Sequence, residues 1–317
     1  MISLNTYSFG LGMGLAKGSK KTMKFLDFIN FCSKNKIKTI EFPLDFFSKQ
    51  EKKEINYYFK ILKKNNFKAI IDLEDLNTNI IKKLAKINHF YDFDLIRIKM
   101  SNHFGGNRYQ IKDFEQQKKN FIKLIKKSLI IVKGTKIKFA IENHQDLNSK
   151  ELINIIKQTS LKKVGINWDI ANSLATIETP DEFFKNTKNY IMNVHSKDYK
   201  VIKSDKGFFL KRCIIGKGIV NFKKYINFFK KKKINFSIEL GAHISRHCDF
   251  RNEEFLKSHN LTKNKIFNFN KYLNKWHFNE SPYSNWEIKK NLNFSYKEEI
   301  SDIIASINFV KKIYGKQ

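Results

Sequence analysis

The sequence is short of arginine. Of 61 basic residues only Arg97, Arg108, Arg212, Arg246 and Arg251 carry a guanidinium; the rest are lysine. Guanidinium is the preferred fork for nucleic-acid phosphate. The net charge of +31 therefore reads as lysine spread over solvated helix faces, and nucleic acid is not the expected partner. Proline is equally rare, with three residues. Together with the abundance of Lys, Ile, Asn and Phe, this looks like coding by an AT-rich genome. Cysteine is limited to Cys32, Cys213 and Cys248, odd in number and with no CxxC spacing. That excludes a disulfide framework and fits a reducing cytoplasm. No apolar run approaches the ~18 to 20 residues of a membrane-spanning helix. The opening residues, Met1 to Tyr7, lack the basic and apolar regions of a secretory signal. A cytoplasmic protein without a membrane partner is expected.

What the sequence does have is a repeated form. Lys138-Phe139-Ala140-Ile141 runs into Glu142, Val164-Gly165-Ile166-Asn167-Trp168 into Asp169, Tyr190-Ile191-Met192-Asn193-Val194 into His195, and Asn235-Phe236-Ser237-Ile238 into Glu239. An apolar run that ends abruptly on a polar residue reads as a buried strand opening into a site. Three carboxylates and an imidazole at four strand tips suit a divalent metal. Buried together without a cation, the carboxylates would repel and resist ionisation.

The rest of the chain supplies a scaffold. Strands are expected at 2–7, 37–42, 67–73 and 94–100, ahead of the four just described. Helices are expected at 22–35, 50–65, 78–88, 111–132, 150–158, from about Pro180, at 221–232 and at 296–314, with Ser149 capping the fifth. Strict strand–helix alternation argues for a parallel sheet with helices outside. Eight units in about 250 residues is the size of a closed (β/α)8 barrel, an α/β TIM barrel whose site lies at the strands' C-terminal ends. Glu142 to Asp169 spans 27 residues and Asp169 to His195 spans 26, one repeat each, so the three occupy equivalent places on consecutive strands. Residues 200–218 read as a long loop. Gly10, Gly12, Gly14 and Gly18 form a glycine-rich loop without phosphate-loop spacing. Residues 244–294, rich in aromatics, read as short helices inserted over the barrel mouth or against a neighbouring subunit of a homo-oligomer. The expected organisation is one domain, 1–317, with insertion 244–294.

Five motifs in order, Ile141-Glu142-Asn143-His144, Trp168-Asp169-Ile170-Ala171-Asn172, Val194-His195-Ser196-Lys197-Asp198, Gly216-Lys217-Gly218-Ile219-Val220 and Ile238-Glu239, give the chain a family likeness. It resembles the sugar phosphate isomerases and epimerases with a xylose isomerase-like TIM barrel, over about residues 2–242. The resemblance implies one divalent ion, Mn2+, Mg2+ or Co2+ with Zn2+ as a further choice, bound by Glu142, Asp169, His195 and Glu239. It implies a small carbohydrate substrate, a ketose or its acid or phosphate, isomerised or epimerised through an enediolate. Glu142 and Glu239 would double as acid and base, and Lys197 would supply positive charge. His144, Asn172 and Arg212 are the expected substrate contacts. Asn172 stands where related epimerases carry histidine, and no arginine closely follows His195. A metal-dependent decarboxylase or dehydratase of a 3-oxo sugar acid is therefore the alternative. An AP endonuclease-like repair enzyme would need more histidines at the strand tips. A non-catalytic sugar-binding barrel would keep the pocket without turnover.

Overall fold

A computed structural model describes residues 1–317 except 21, 22, 92, 242, 316 and 317. In chain order its elements are β1 (Ile2–Asn5), α1 (Phe25–Lys34), β2 (Thr39–Pro43), α2 (Leu44–Glu51), α3 (Ile55–Lys64), β3 (Lys68–Asp72), α4 (Thr78–Ile87), β4 (Phe93–Ile98), α5 (Phe114–Ile131), β5 (Lys138–Glu142), α6 (Ser149–Thr159), β6 (Val164–Asp169), α7 (Pro180–Thr187) and β7 (Ile191–His195). There follow β8 (Tyr199–Ser204), β9 (Gly207–Arg212), α8 (Lys223–Lys231), β10 (Asn235–Ile238), β11 (Arg246–Cys248), α9 (Glu253–Ser258), α10 (Lys263–Lys275), α11 (Asn285–Lys289) and α12 (Leu292–Tyr314). Strands β1 to β7 and β10 close into one barrel, all neighbours parallel. This is the (β/α)8 barrel expected from the alternation.

Side chains alternate across each strand, and the alternation sorts them into two cores. Trp168 faces outward and stacks on Phe183 of α7 with ring centroids 5.8 Å apart. Asn167 and Asp169, on either side of it, face the barrel axis. At the N-terminal end the interior is plugged by Ile70, Leu95, Ala140 and Met192. Gly165 leaves room for that plug, since a Cβ there would lie 2.6 Å from Met192 Cγ. Above it comes a polar layer: Asn193 Nδ2 donates to Asn167 Oδ1 at 2.5 Å and to Glu41 Oε2 at 3.2 Å. The charged residues sit above that, toward the mouth.

Several elements differ from expectation. Residues 50–65 are not one helix: Lys52, with left-handed φ of 51°, ends α2, and α3 starts at Ile55. The first helix starts at Phe25; its expected start, Thr22, lies outside the described residues. Asn148, not Ser149, caps α6, its side chain accepting from Glu151 N at 3.0 Å. The first helical residue, Ser149, instead bonds Glu178 through N at 2.8 Å. The last helix begins at Leu292 rather than Tyr296.

The stretch 200–218 is not a plain loop. Its first part is a hairpin, β8 and β9, to which β11 adds a third antiparallel strand. The remainder folds around Asp198. Asp198 Oδ2 accepts from Gly216 N and Gly218 N, both at 2.9 Å, and Oδ1 from Tyr199 N at 3.0 Å and Val220 N at 3.1 Å. Gly218 is required because a Cβ would stand 2.4 Å from Asp198 Oδ1. Asp198→Asn would turn an amide NH2 toward two of these donors. It is expected to lower stability by about 2 to 3 kcal/mol, the scale for unsatisfied buried groups, read as a shift in urea midpoint at unchanged slope. A loss below about 0.5 kcal/mol, the level of an ordinary surface substitution, would show that the carboxylate does not hold this segment.

Within 244–294, Phe250, Phe255 and Phe269 join the main core, while Phe267 and Trp276 are exposed. The glycine-rich loop also has a partner. Leu11 N and Gly12 N donate to the Glu299 carboxylate of α12 at 2.9 and 3.1 Å. The loop cradles an anion that the chain itself supplies.

Candidate metal centre

Strand register sets the centre. Asp169 lies opposite His195, and His195 opposite Ser237. Glu239 falls two residues past Ser237 and so points the same way. Glu142 lies opposite Asn167, two residues below Asp169 on the same inner face. Glu142, Asp169, His195 and Glu239 each offer one ligand atom, and these atoms all lie within 4.8 Å of one another. All four side chains are buried. Glu142 Oε1 and Asp169 Oδ1 have no hydrogen-bond donor.

The surrounding groups fix the four in place. Asn143 clamps the β5 and β6 tips: its Nδ2 donates to Asp169 O at 2.9 Å and its Oδ1 accepts from Asp169 N at 2.8 Å. Arg97 Nε stands 2.6 Å from Glu142 Oε2. Lys197 Nζ bridges Asp169 Oδ2 at 2.7 Å and Glu239 Oε1 at 2.8 Å. The His195 ring sits between two carboxylates, with Nε2 2.7 Å from Glu41 Oε1 and Nδ1 against Glu239 Oε2. Asn172 Nδ2 donates to Asp169 Oδ2 at 2.6 Å.

Five carboxylates thus share the upper barrel, Glu41, Asp72, Glu142, Asp169 and Glu239, against Arg97, Lys197 and one imidazole. Burial pushes Asp169 up to about 7, with Lys197 opposing and Glu239 and Glu142 adding to the rise. Burial and the neighbouring Glu41 raise Asp72 well above the carboxylate range. Burial would raise Glu239 too, but the charges of Lys197 and His195 hold it well below. Burial would lower His195, yet Glu41 and Glu239 raise it well above its ordinary value. This excess of buried oxygen donors, with Glu142 Oε1 and Oε2, Asp169 Oδ1 and Glu239 Oε2 among those that make no hydrogen bond, fits one divalent cation of the harder kind.

A cavity of about 660 Å³ meets the centre at Glu239 and Lys197 and is lined also by Tyr7, Lys99, Phe104, His144 and Arg246, whereas Glu142, Asp169 and His195 are not in its lining. His144 lies in its wall against Phe104, with centroids 4.9 Å apart. Burial and the cations Lys99, Arg246, Arg97 and Lys197 hold its imidazole neutral. Asn172 is buried behind Asp169 and does not line the cavity. Arg212 is not brought in either; its guanidinium pairs with Asp302 of α12 at 2.7 Å. Sequence reasoning passed over Glu41, Asp72, Arg97 and Arg246. The first three interrupt apolar strand runs, a signal that was there to read. Arg246 sits in 244–294, where only packing was expected.

Comparison with known proteins places the chain. Over 85 residues it is 35% identical to the uncharacterized protein YihM of Escherichia coli K12, covering 27% of this chain and 26% of YihM. Over 88 residues it is 23% identical to 3-oxo-isoapionate decarboxylase of Pectobacterium atrosepticum, covering 27% and 32%. These matches span only about a quarter to a third of either relative. Among solved structures, D-psicose 3-epimerase of Clostridium cellulolyticum H10, with D-tagatose, superposes with a TM-score of 0.57 at 10% identity, over 86% of this chain and 99% of that one. At that identity the likeness is one of fold. The family model described as a xylose isomerase-like TIM barrel matches residues 93–263, more than half of the sequence, and the chain belongs to that family.

Proposed function

We propose that this protein is a divalent-metal-dependent isomerase or epimerase of a small sugar, working through an enediolate. The observation that carries the reading is the set of four ligand atoms within 4.8 Å of one another, one of which, on Glu239, lines a cavity of about 660 Å³. Glu142, Asp169, His195 and Glu239 would hold one Mn2+, Mg2+, Co2+ or Zn2+. When bound, such an ion acts as a Lewis acid toward adjacent hydroxyl and carbonyl oxygens and acidifies the neighbouring C–H.

The protein's own groups supply the rest. Arg97 pairs with Glu142 at Oε2, and the Glu142 carboxylate would serve as a base. Glu239, paired with Lys197 through Oε1 at 2.8 Å, would serve as the second acid or base. Lys197 lends positive charge to a developing oxyanion. Neutral His144 can donate or accept a hydrogen bond from a substrate hydroxyl. Asn172 keeps Asp169 in position. In the same reading the chain is one domain, with 244–294 as an insertion whose first residues close over the mouth.

The name of the decarboxylase relative favours a second reading, loss of CO2 from a 3-oxo sugar acid at the same centre. The cluster's single histidine among the described residues disfavours a multi-metal nuclease. Turnover of ketoses and 3-oxo sugar acids in D2O decides. Isomerase chemistry predicts deuterium at the carbon beside the carbonyl with no CO2 released. CO2 release selects the second reading. Turnover without solvent deuterium, or full activity after metal removal, would falsify both.

A further inference from the structure

We infer that the sugar taken by this cavity carries an anionic group, a carboxylate or a phosphate, and that Arg246 binds it. The inference rests on the reading of the cavity as a sugar site, and it names the substrate class.

Four permanently basic side chains line the cavity: Arg97, Lys99, Lys197 and Arg246. Three are already committed to carboxylates. Arg97 stands 2.6 Å from Glu142, Lys99 2.9 Å from Glu74, and Lys197 bridges Asp169 and Glu239. Among the described residues no carboxylate pairs with Arg246. Its guanidinium is stacked 4.0 Å from the Phe104 ring centroid, an arrangement that flattens and orients it. One Nη1 contact goes to Tyr199 Oη at 3.3 Å. The remaining N–H groups form the planar fork that matches a carboxylate or phosphate.

The fork is also held at a set place relative to the centre. Arg246 starts β11, whose pairing with β9 sets Arg246 opposite Leu210. A hydrogen-bond chain then runs inward. Arg246 donates to Tyr199 Oη, Tyr199 O–H donates to Asn172 Oδ1 at 3.2 Å, and Asn172 donates to Asp169 Oδ2. The oxygen chelators and the anion fork are therefore tied to one frame, as a substrate with a polyol end and an anionic end requires. Neutral ketoses would leave this guanidinium unanswered. Arg212, expected from the sequence as a substrate contact, is taken by Asp302.

The test is calorimetric binding to the full chain in Mg2+, with three six-carbon probes: sorbitol, gluconate and sorbitol 6-phosphate. At least one anion is expected to bind roughly 10- to 100-fold more tightly than sorbitol, the range of one charge-assisted bidentate contact. A preference for gluconate identifies a carboxylate substrate, and one for sorbitol 6-phosphate a phosphorylated one. Arg246→Met keeps an apolar stem on Phe104 and should erase the preference, read as the ratio of anion to sorbitol affinity within the same variant. Arg246→Lys should restore part of it. Equal affinity for all three probes, no binding of any, or an anion preference that survives Arg246→Met would overturn the inference. Because the readout is binding, it is separable from the isomerase reading. Arg246-dependent anion binding without deuterium exchange refutes the reaction and leaves the anion site standing.

Discussion

Glu142→Gln is expected to lower turnover roughly 10⁴-fold, the upper end of what one acid–base group contributes. Two effects coincide at this position. The amide offers one neutral oxygen where the carboxylate offered two charged ones, so a base is lost. Its NH2 group must also face either Arg97 Nε, now 2.6 Å from Oε2, or the other ligand atoms. Elemental analysis separates these effects. Protein purified without chelator should hold less metal as Glu142→Gln than as wild type, whereas loss of the base alone leaves the metal content intact. A variant within tenfold of wild-type turnover would remove Glu142 from the chemistry altogether.

Lys197→Met should show a large effect in two independent measurements. Its ammonium is 2% exposed and touches two carboxylates. Removing one partner of a buried ion pair typically destabilises by about 3 to 5 kcal/mol, and metal-free protein should lose about that much in denaturant titration. The sign with pH follows from Asp169. Burial already holds it at about 7 with Lys197 opposing, and without the ammonium its folded-state pKa rises further. Its share of the loss relative to wild type is therefore absent where both folded forms are protonated and grows as pH rises through about 7. Turnover should fall by roughly 10² or more, as for one electrostatic group aimed at developing charge. A stability loss that does not grow as pH rises through about 7 would mean that packing of the lysine stem, not its charge on Asp169, is what matters.

The parts of the molecule that were legible share a local cause. Glu142, Asp169, His195 and Glu239 each end an apolar run, and the near-equal spacing of the first three placed them on consecutive strands. Period-two alternation was enough for that, because in a barrel the strand end is the site. Glu41 and Arg97 each interrupt an apolar strand run, but their partners are remote: Glu41 meets His195 across 154 residues, and nothing local marks the pairing. The hairpin β8–β9 is a different failure. Ser204-Asp205-Lys206-Gly207 between two apolar-rich runs is a turn signal, but strand–helix alternation outweighed it. Arg246 was missed because an aromatic-rich segment reads as packing. Arg212 was chosen because it lay nearer in sequence to His195, and its partner Asp302 lies 90 residues away.

The clasp between the glycine loop and Glu299 carries a consequence for how the chain is made. Leu11 and its acceptor are 288 residues apart. At roughly 5 to 20 residues per second of synthesis, the loop waits about 15 to 60 s at the ribosome before its carboxylate emerges. During that time the loop is without the carboxylate it holds in the finished fold. The part of the mouth that includes Gly10 therefore takes its final shape only after Glu299 has emerged, and a nascent barrel with most of its strands in place still lacks a finished site.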